Sequence, residues 1–328
     1  DYRFQVSNAA HLKGLNGVSL EWNVAHTKSC SLIRATVISF PGKAGTTHDE
    51  SEQSVKRVEG VLGRNCVRLV RVHVNPNSNE ATGGYWLHSS SYRSAANLIT
   101  EIIRLGSSSW WKDTEGKHPF QNKIIVAGSS AGGMIAAAGL EWSSTYRSLV
   151  DRTIMISAPL GADMSYECGV MRNDGIKGWI DSIFRTGTTC RNCTDPLTCG
   201  ISSSTDVVNI ADEQVRSYVQ SDPLEIDTHE IAILIGDSDP IGCVEGKISN
   251  GCGSWTGVGS TERYIRSISG GSLYRFQRGG ISSRFRPTTL NAVVGGTHDL
   301  WDSSTARRLI CKNALDEVGT SLSSCESL

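Results

Sequence analysis

The chain has 328 residues, with 32 Lys and Arg against 33 Asp and Glu and a formal net charge of −1. So even a balance excludes the basic excess that phosphate-backbone binding needs, and nucleic acid is not an expected partner. Apolar residues make up 38% of the chain, too many for a disordered polymer, yet no apolar run approaches the ~18–20 residues that cross a bilayer.

In chain order, the first clear element is the β-branched run Ser31–Phe40, closed by Pro41-Gly42. Thr47-His48-Asp49-Glu50 has the capping-box form, which predicts a helix to about Leu62. Cys66–Val74 alternates apolar with polar residues and reads as the next strand; Ser91–Leu105 carries apolar residues at helical spacing. Lys123–Ala127 and Thr153–Ser157 are short and almost wholly apolar, as expected of strands buried on both faces. Between them, Ala131–Trp142 reads as a helix of small residues. From about Leu160 the chain turns polar and irregular and contains four cysteines. Order returns with the strand Glu230–Ile235, a helix near Glu262–Ser269, strands at Ser272–Gln277 and Leu290–Val294, and a last amphipathic helix over Ser304–Val318. Strands alternating with helices predict an α/β fold, a mostly parallel central sheet with helices on both faces. The chain 1–328 reads as one domain, with 160–226 as a lid inserted between two strands.

Ten cysteines spread along the chain favour an oxidising compartment, where they form disulfides. The sequence opens on Asp1 and not on Met, which fits a mature product after removal of a signal peptide. Both features predict a secreted or otherwise extracytoplasmic protein. Cys190-x-x-Cys193 has no second such pair or spaced histidines to complete a tetrahedral zinc site, so disulfides are the expected state. Two local pairings are expected: Cys243–Cys252, stapling a loop, and Cys311–Cys325, tying the C-terminal segment to the last helix.

One stretch carries chemistry. Gly128-Ser129-Ser130-Ala131-Gly132 is G-x-S-x-G, directly after an apolar strand and directly before a helix. Glycines two residues either side of a serine permit a sharp strand-to-helix turn that exposes its hydroxyl. Ser130 is the serine with glycine at both positions, which makes it the candidate nucleophile. A serine needs a base and an orienting acid to attack a carbonyl at neutral pH. Here the sequence resembles the α/β-hydrolase superfamily, whose order is Ser, then Asp or Glu, then His. Members often show G-x-x-D after the acid-bearing strand, and Gly236-Asp237-Ser238-Asp239 fits. The resemblance therefore implies Asp239 as the acid, with Asp237 as its rival. It places the base in the loop between the last strand and the last helix, at His298 in Gly295-Gly296-Thr297-His298. The string Ala127–Gly133 is similar to the elbow of pectin acetylesterases and Notum-type carboxylesterases, although their glycine- and tryptophan-rich upstream signature is absent.

The resemblance implies a carboxylic ester hydrolase acting through an acyl-enzyme on a small-molecule or polymeric ester, with no metal or organic cofactor. A secreted serine peptidase or amidase would use the same triad, and a non-catalytic binding protein on the same fold is the remaining class. The oxyanion hole is expected to use the backbone N–H of Ala131 and a second donor at Gly42 or Lys43. Trp179, Trp255 and Trp301 are candidate walls of a substrate pocket.

Overall fold

The computed structural model describes residues 2–5, 18–22, 29–42, 49–74, 99–104, 106, 122–130, 132–133, 136, 139–140, 143–158, 230–236, 281–282, 288–293 and 295–328. Their strands are β1 (Tyr2–Gln5), β2 (Val18–Trp22), β3 (Ala35–Phe40), β4 (Val67–Val74), β5 (Lys123–Ser129), β6 (Arg152–Ile156), β7 (Glu230–Gly236), β8 (Ile281–Ser282) and β9 (Thr288–Val293). They join one sheet in the order β1-β2-β4-β3-β5-β6-β7-β9-β8. From β4 to β9 every neighbouring pair is parallel, while β1 and β2 at one edge and β8 at the other pair antiparallel.

The parallel strands are apolar because both faces are covered. Val37, Ile125, Ile154, Ile156, Ala232 and Leu234 pack on one face against α1 (Asp49–Arg64) and the helix Ser304–Asp316. In α1 the packed residues are Val55, Val58, Val61 and Leu62, a spacing that puts them on one stripe. Side chains alternate along a strand, so Thr153 faces the opposite side from Ile154. There the buried Tyr146 of α2 (Ser144–Leu149) shares a hydrogen bond of 2.8 Å with the Thr153 hydroxyl. Ser143 caps α2 by accepting from the Tyr146 N–H, and Ser303 caps α3 (Ser304–Asp316) by accepting from Ala306.

Several boundaries differ from the sequence reading. The strand expected over Ser31–Phe40 is β3 and starts at Ala35; Cys30 is bonded to Cys66 just before β4, and residues 31–34 lead into the sheet. Strand β5 runs on through Gly128 and Ser129, so the elbow begins at the residue after the strand. Strand β6 stops at Ile156 because Ser157 turns into the left-handed region, at φ 49°. Cys311 is bonded to Cys325, joining α3 to the 3-10 helix Leu322–Ser327. The 160–226 segment, the pair Cys243 and Cys252, and the stretches 262–269 and 272–277 lie outside the described residues. No helix among the described residues is long and apolar enough to cross a membrane.

Strand order also locates a crevice. From β3 the chain passes through α1 to β4 on one side, whereas from β5 it leaves toward β6 on the other. Crossovers of one hand then put the two following helices on opposite faces, and the sheet opens between the carboxyl ends of β3 and β5.

Candidate active site

Ser130 stands at that opening. It directly follows β5 and has φ 50°, a left-handed conformation that costs a non-glycine residue about 1–2 kcal/mol. Its backbone is held from two sides: the N–H donates to the Ile156 carbonyl at 2.8 Å, and its carbonyl accepts from the Gly133 N–H at 3.0 Å. The turn is tight enough that a Cβ on Gly128 would lie 2.2 Å from the Gly132 carbonyl oxygen. A Cβ on Gly132 would in turn lie 2.7 Å from the Phe40 carbonyl oxygen at the end of β3. The two glycines of G-x-S-x-G are therefore required by packing, Gly128 on Gly132 and Gly132 on the end of the neighbouring strand.

His298 approaches from the far side of the sheet. It lies between β9 and the 3-10 turn Leu300–Asp302, partly buried, with Nε2 2.9 Å from Ser130 Oγ. Glycines again set the path. A Cβ on Gly236, the last residue of β7, would meet the Gly296 carbonyl oxygen at 2.1 Å, so no larger residue lets the 295–298 loop lie against β7. Gly295 has φ +71° and turns the chain from β9 into that loop. With the neutral imidazole accepting at Nε2, the serine O–H donates to it, the arrangement in which a histidine removes the proton of an attacking hydroxyl.

The chain has the α/β-hydrolase fold. The parallel sheet covered on both faces, the strained serine elbow after β5 and the histidine after β9 decide it.

Among solved structures, the chain is similar to Est1E from Butyrivibrio proteoclasticus, at 14% identity and a TM-score of 0.48 over 92% of this chain and 94% of that one. It is also similar to an esterase from Pyrobaculum calidifontis, at 13% identity and a TM-score of 0.47 over 92% of this chain and 80% of that one. A monoacylglycerol lipase from Paleococcus ferrophilus is similar at 13% identity and a TM-score of 0.46 over 87% and 96% of the two chains. No protein-family model matches the sequence. No curated protein matches it either.

The other sequence-predicted residues fall as follows. Gly42 lies beside the elbow: a Cβ there would sit 3.3 Å from Ser130 Cβ and 3.9 Å from its Oγ. Trp301 is 5% exposed and belongs to the core between the sheet, α1 and α3. Its indole N–H donates to the Ser129 hydroxyl at 2.9 Å. Asp239, Asp237, Ala131, Lys43, Trp179 and Trp255 lie outside the described residues.

Sequence reading gave Ser129 no role beyond being Ser130's neighbour. A tryptophan three residues after the histidine was the available signal. It could not name a partner, because the contact closes only when β9 comes to lie near β5. Among the described residues no group of three His, Cys, Asp or Glu side chains is placed to hold a metal ion.

Proposed function

We propose that the protein is a hydrolase of carboxylic esters, working through a Ser130–His298–Asp239 triad and an acyl-enzyme. The observation that carries this reading is the 2.9 Å approach of His298 Nε2 to a serine hydroxyl held in a strained elbow. Ser130 Oγ attacks the ester carbonyl while His298 takes its proton. His298 then protonates the leaving alcohol, and water, with His298 again as base, releases the acid. Asp239 follows Gly236 by three residues, a reach of at most ~11 Å at the ~3.6 Å per residue of an extended chain. Gly236 packs on Gly296, two residues before His298, so chain connectivity supports an acid there holding the imidazole.

The backbone N–H of Ala131 is the first oxyanion donor and that of Gly42 or Lys43 the second; the nearness of Gly42 to Ser130 supports this pairing. The segment 160–226, between β6 and β7 in the chain, serves as an inserted lid. Secretion is supported by the disulfides Cys30–Cys66 and Cys311–Cys325, since such bonds persist in oxidising compartments.

Labelling with a fluorophosphonate and hydrolysis of p-nitrophenyl esters of graded chain length test the reading. Wild type is expected to label and turn over, and Ser130→Ala to lose the label and about 10⁴-fold or more in kcat. Asp239→Asn is expected to fall by a similar factor and Asp237→Asn by far less; the reverse order would move the acid to Asp237. A folded wild type that neither labels nor turns over would end the proposal, and faster cleavage of peptides or amides than of esters would change the substrate class.

A further inference from the structure

Two residues of one segment grip two residues of another. His298 reaches Ser130, and three residues on, Trp301 reaches Ser129, each at 2.9 Å. We propose that Trp301 is a positioning residue: its indole N–H, bonded to Ser129 Oγ, fixes the distance and rotation between the His298 loop and the Ser130 elbow. This rests on the reading of Ser130 and His298 as nucleophile and base.

The tryptophan is itself held firmly enough to do this. A buried indole N–H must find an acceptor, and the acceptor here is the last residue of β5. On the backbone, Arg307 of α3 donates from Nη1 to the carbonyls of Trp301 and Asp302, both at 2.8 Å. Its Nη2 donates to the Leu328 carbonyl at 3.2 Å, and the Cys311–Cys325 disulfide binds that segment to α3. From the other side, the Ser54 hydroxyl of α1 donates to Asp302 Oδ1 at 3.1 Å. The 3-10 turn carrying Trp301 is thus anchored on both helices of one face, and the indole carries that rigidity to the elbow. The Trp301–Ser129 hydrogen bond is a second side-chain link, one residue from the first, between this anchored turn and the elbow, and it fixes their relative rotation as well as their distance.

The hydrogen bond can be deleted from either end, with the smaller change of shape at Ser129. Trp301→Phe keeps an aromatic ring without the N–H, and Ser129→Ala removes the acceptor. Each is expected to lower kcat, and the rate of fluorophosphonate labelling, by about 10- to 100-fold, the scale set by a misplacement of up to ~1 Å, with KM nearly unchanged. Ser129→Thr, which keeps the hydroxyl, is expected to retain activity. The double variant is expected to be no slower than the slower single one, because both changes remove the same interaction.

Melting temperatures that fall while kcat stays at the wild-type value would overturn the proposal, as would losses that multiply in the double variant. If Trp301→Phe does not fold, the Ser129→Ala and Ser129→Thr pair alone decides, since the first must lose kcat and the second must not. A wild type that fails to label removes the nucleophile reading itself. A labelling wild type with unaffected variants removes only the brace.

Discussion

At the carboxyl ends of the parallel strands the chain is held by backbone packed on backbone, whereas at their amino ends it is held by charge and a disulfide. The first set is Gly128 on Gly132, Gly132 on Phe40 and Gly236 on Gly296, all closer than a methyl group would allow. The second begins with Arg152, at the start of β6. Its guanidinium bonds the Glu230 carboxylate at the start of β7, Asp316 at 3.1 Å, Glu317 at 3.2 Å and the Asn313 carbonyl at 2.7 Å. Nearby, Lys123 Nζ lies 2.8 Å from Asp151 and 3.4 Å from Glu317, while Cys30–Cys66 joins the approaches to β3 and β4.

Left-handed non-glycine residues occur at both ends, but they are held differently. At the amino ends, Asn122 is of a type that tolerates the conformation, and Cys66 is tied by its disulfide. At the carboxyl ends, Ser130 and Ser157 are neither; Ser130 is kept there by the glycine contacts around it. Ion networks are soft, with several partners and long side chains, and their loss is graded. Close backbone contacts have no slack, so any added atom must displace a strand or the elbow. The end that needs a geometry fixed to a fraction of an ångström uses the second kind.

The largest effect should come from violating the hard contact. Gly128→Ala puts a methyl 2.2 Å from the Gly132 carbonyl oxygen and is expected to cost about 3 kcal/mol in stability by overpacking. It should also cost about 100-fold in kcat through displacement of Ser130. Denaturant titration and ester hydrolysis on the folded fraction measure the two separately, and unchanged turnover would show that the elbow has slack after all.

At the soft end, Arg152→Met should lower stability by about 1–3 kcal/mol, since Glu230 and Asp316 are well exposed and the buried Glu317 keeps Lys123 as a partner. Turnover per folded molecule should hold, because the site lies at the other end of the strand. A fall in kcat comparable to that of Gly128→Ala would erase the distinction between the two ends.

The smallest effect concerns Lys123. Its hydrogen bond to Asp151 raises the ammonium pKa above 10.5, against a partial lowering by burial. A raised lysine pKa contributes stability that is fully present below the unfolded value of 10.5 and is lost as pH rises through the folded one. Lys123→Gln should therefore lower the denaturation midpoint slightly at neutral pH and flatten its alkaline fall, so that variant and wild type converge as pH rises through the folded pKa. An identical alkaline slope in the variant would place the titrating group elsewhere.

What could be read from the sequence follows the reach of each signal. The apolar runs of β5, β6 and β7 were legible because burial on both faces leaves no polar alternation to confuse with a helix. The helix α1 was legible from the capping-box form Thr47–Glu50, and G-x-S-x-G from its place between strand and helix. Strands β1, β2 and β8 were not, since two to five residues are too few to establish a period. Helix α2 was missed for a related reason: six residues, of which only Tyr146 is buried, leave no stripe to detect.

By itself the sequence determined the alternation of elements, the serine that the motif singles out and the histidine in the last loop, because each is written in neighbouring residues. Tertiary structure alone decided that these two side chains meet at 2.9 Å across 168 residues of chain, that Cys30 takes Cys66, and that Trp301 faces inward to Ser129. Those contacts depend on which strands lie side by side. That order is set by the packing of helices on both faces of the sheet, which no local run of residues contains.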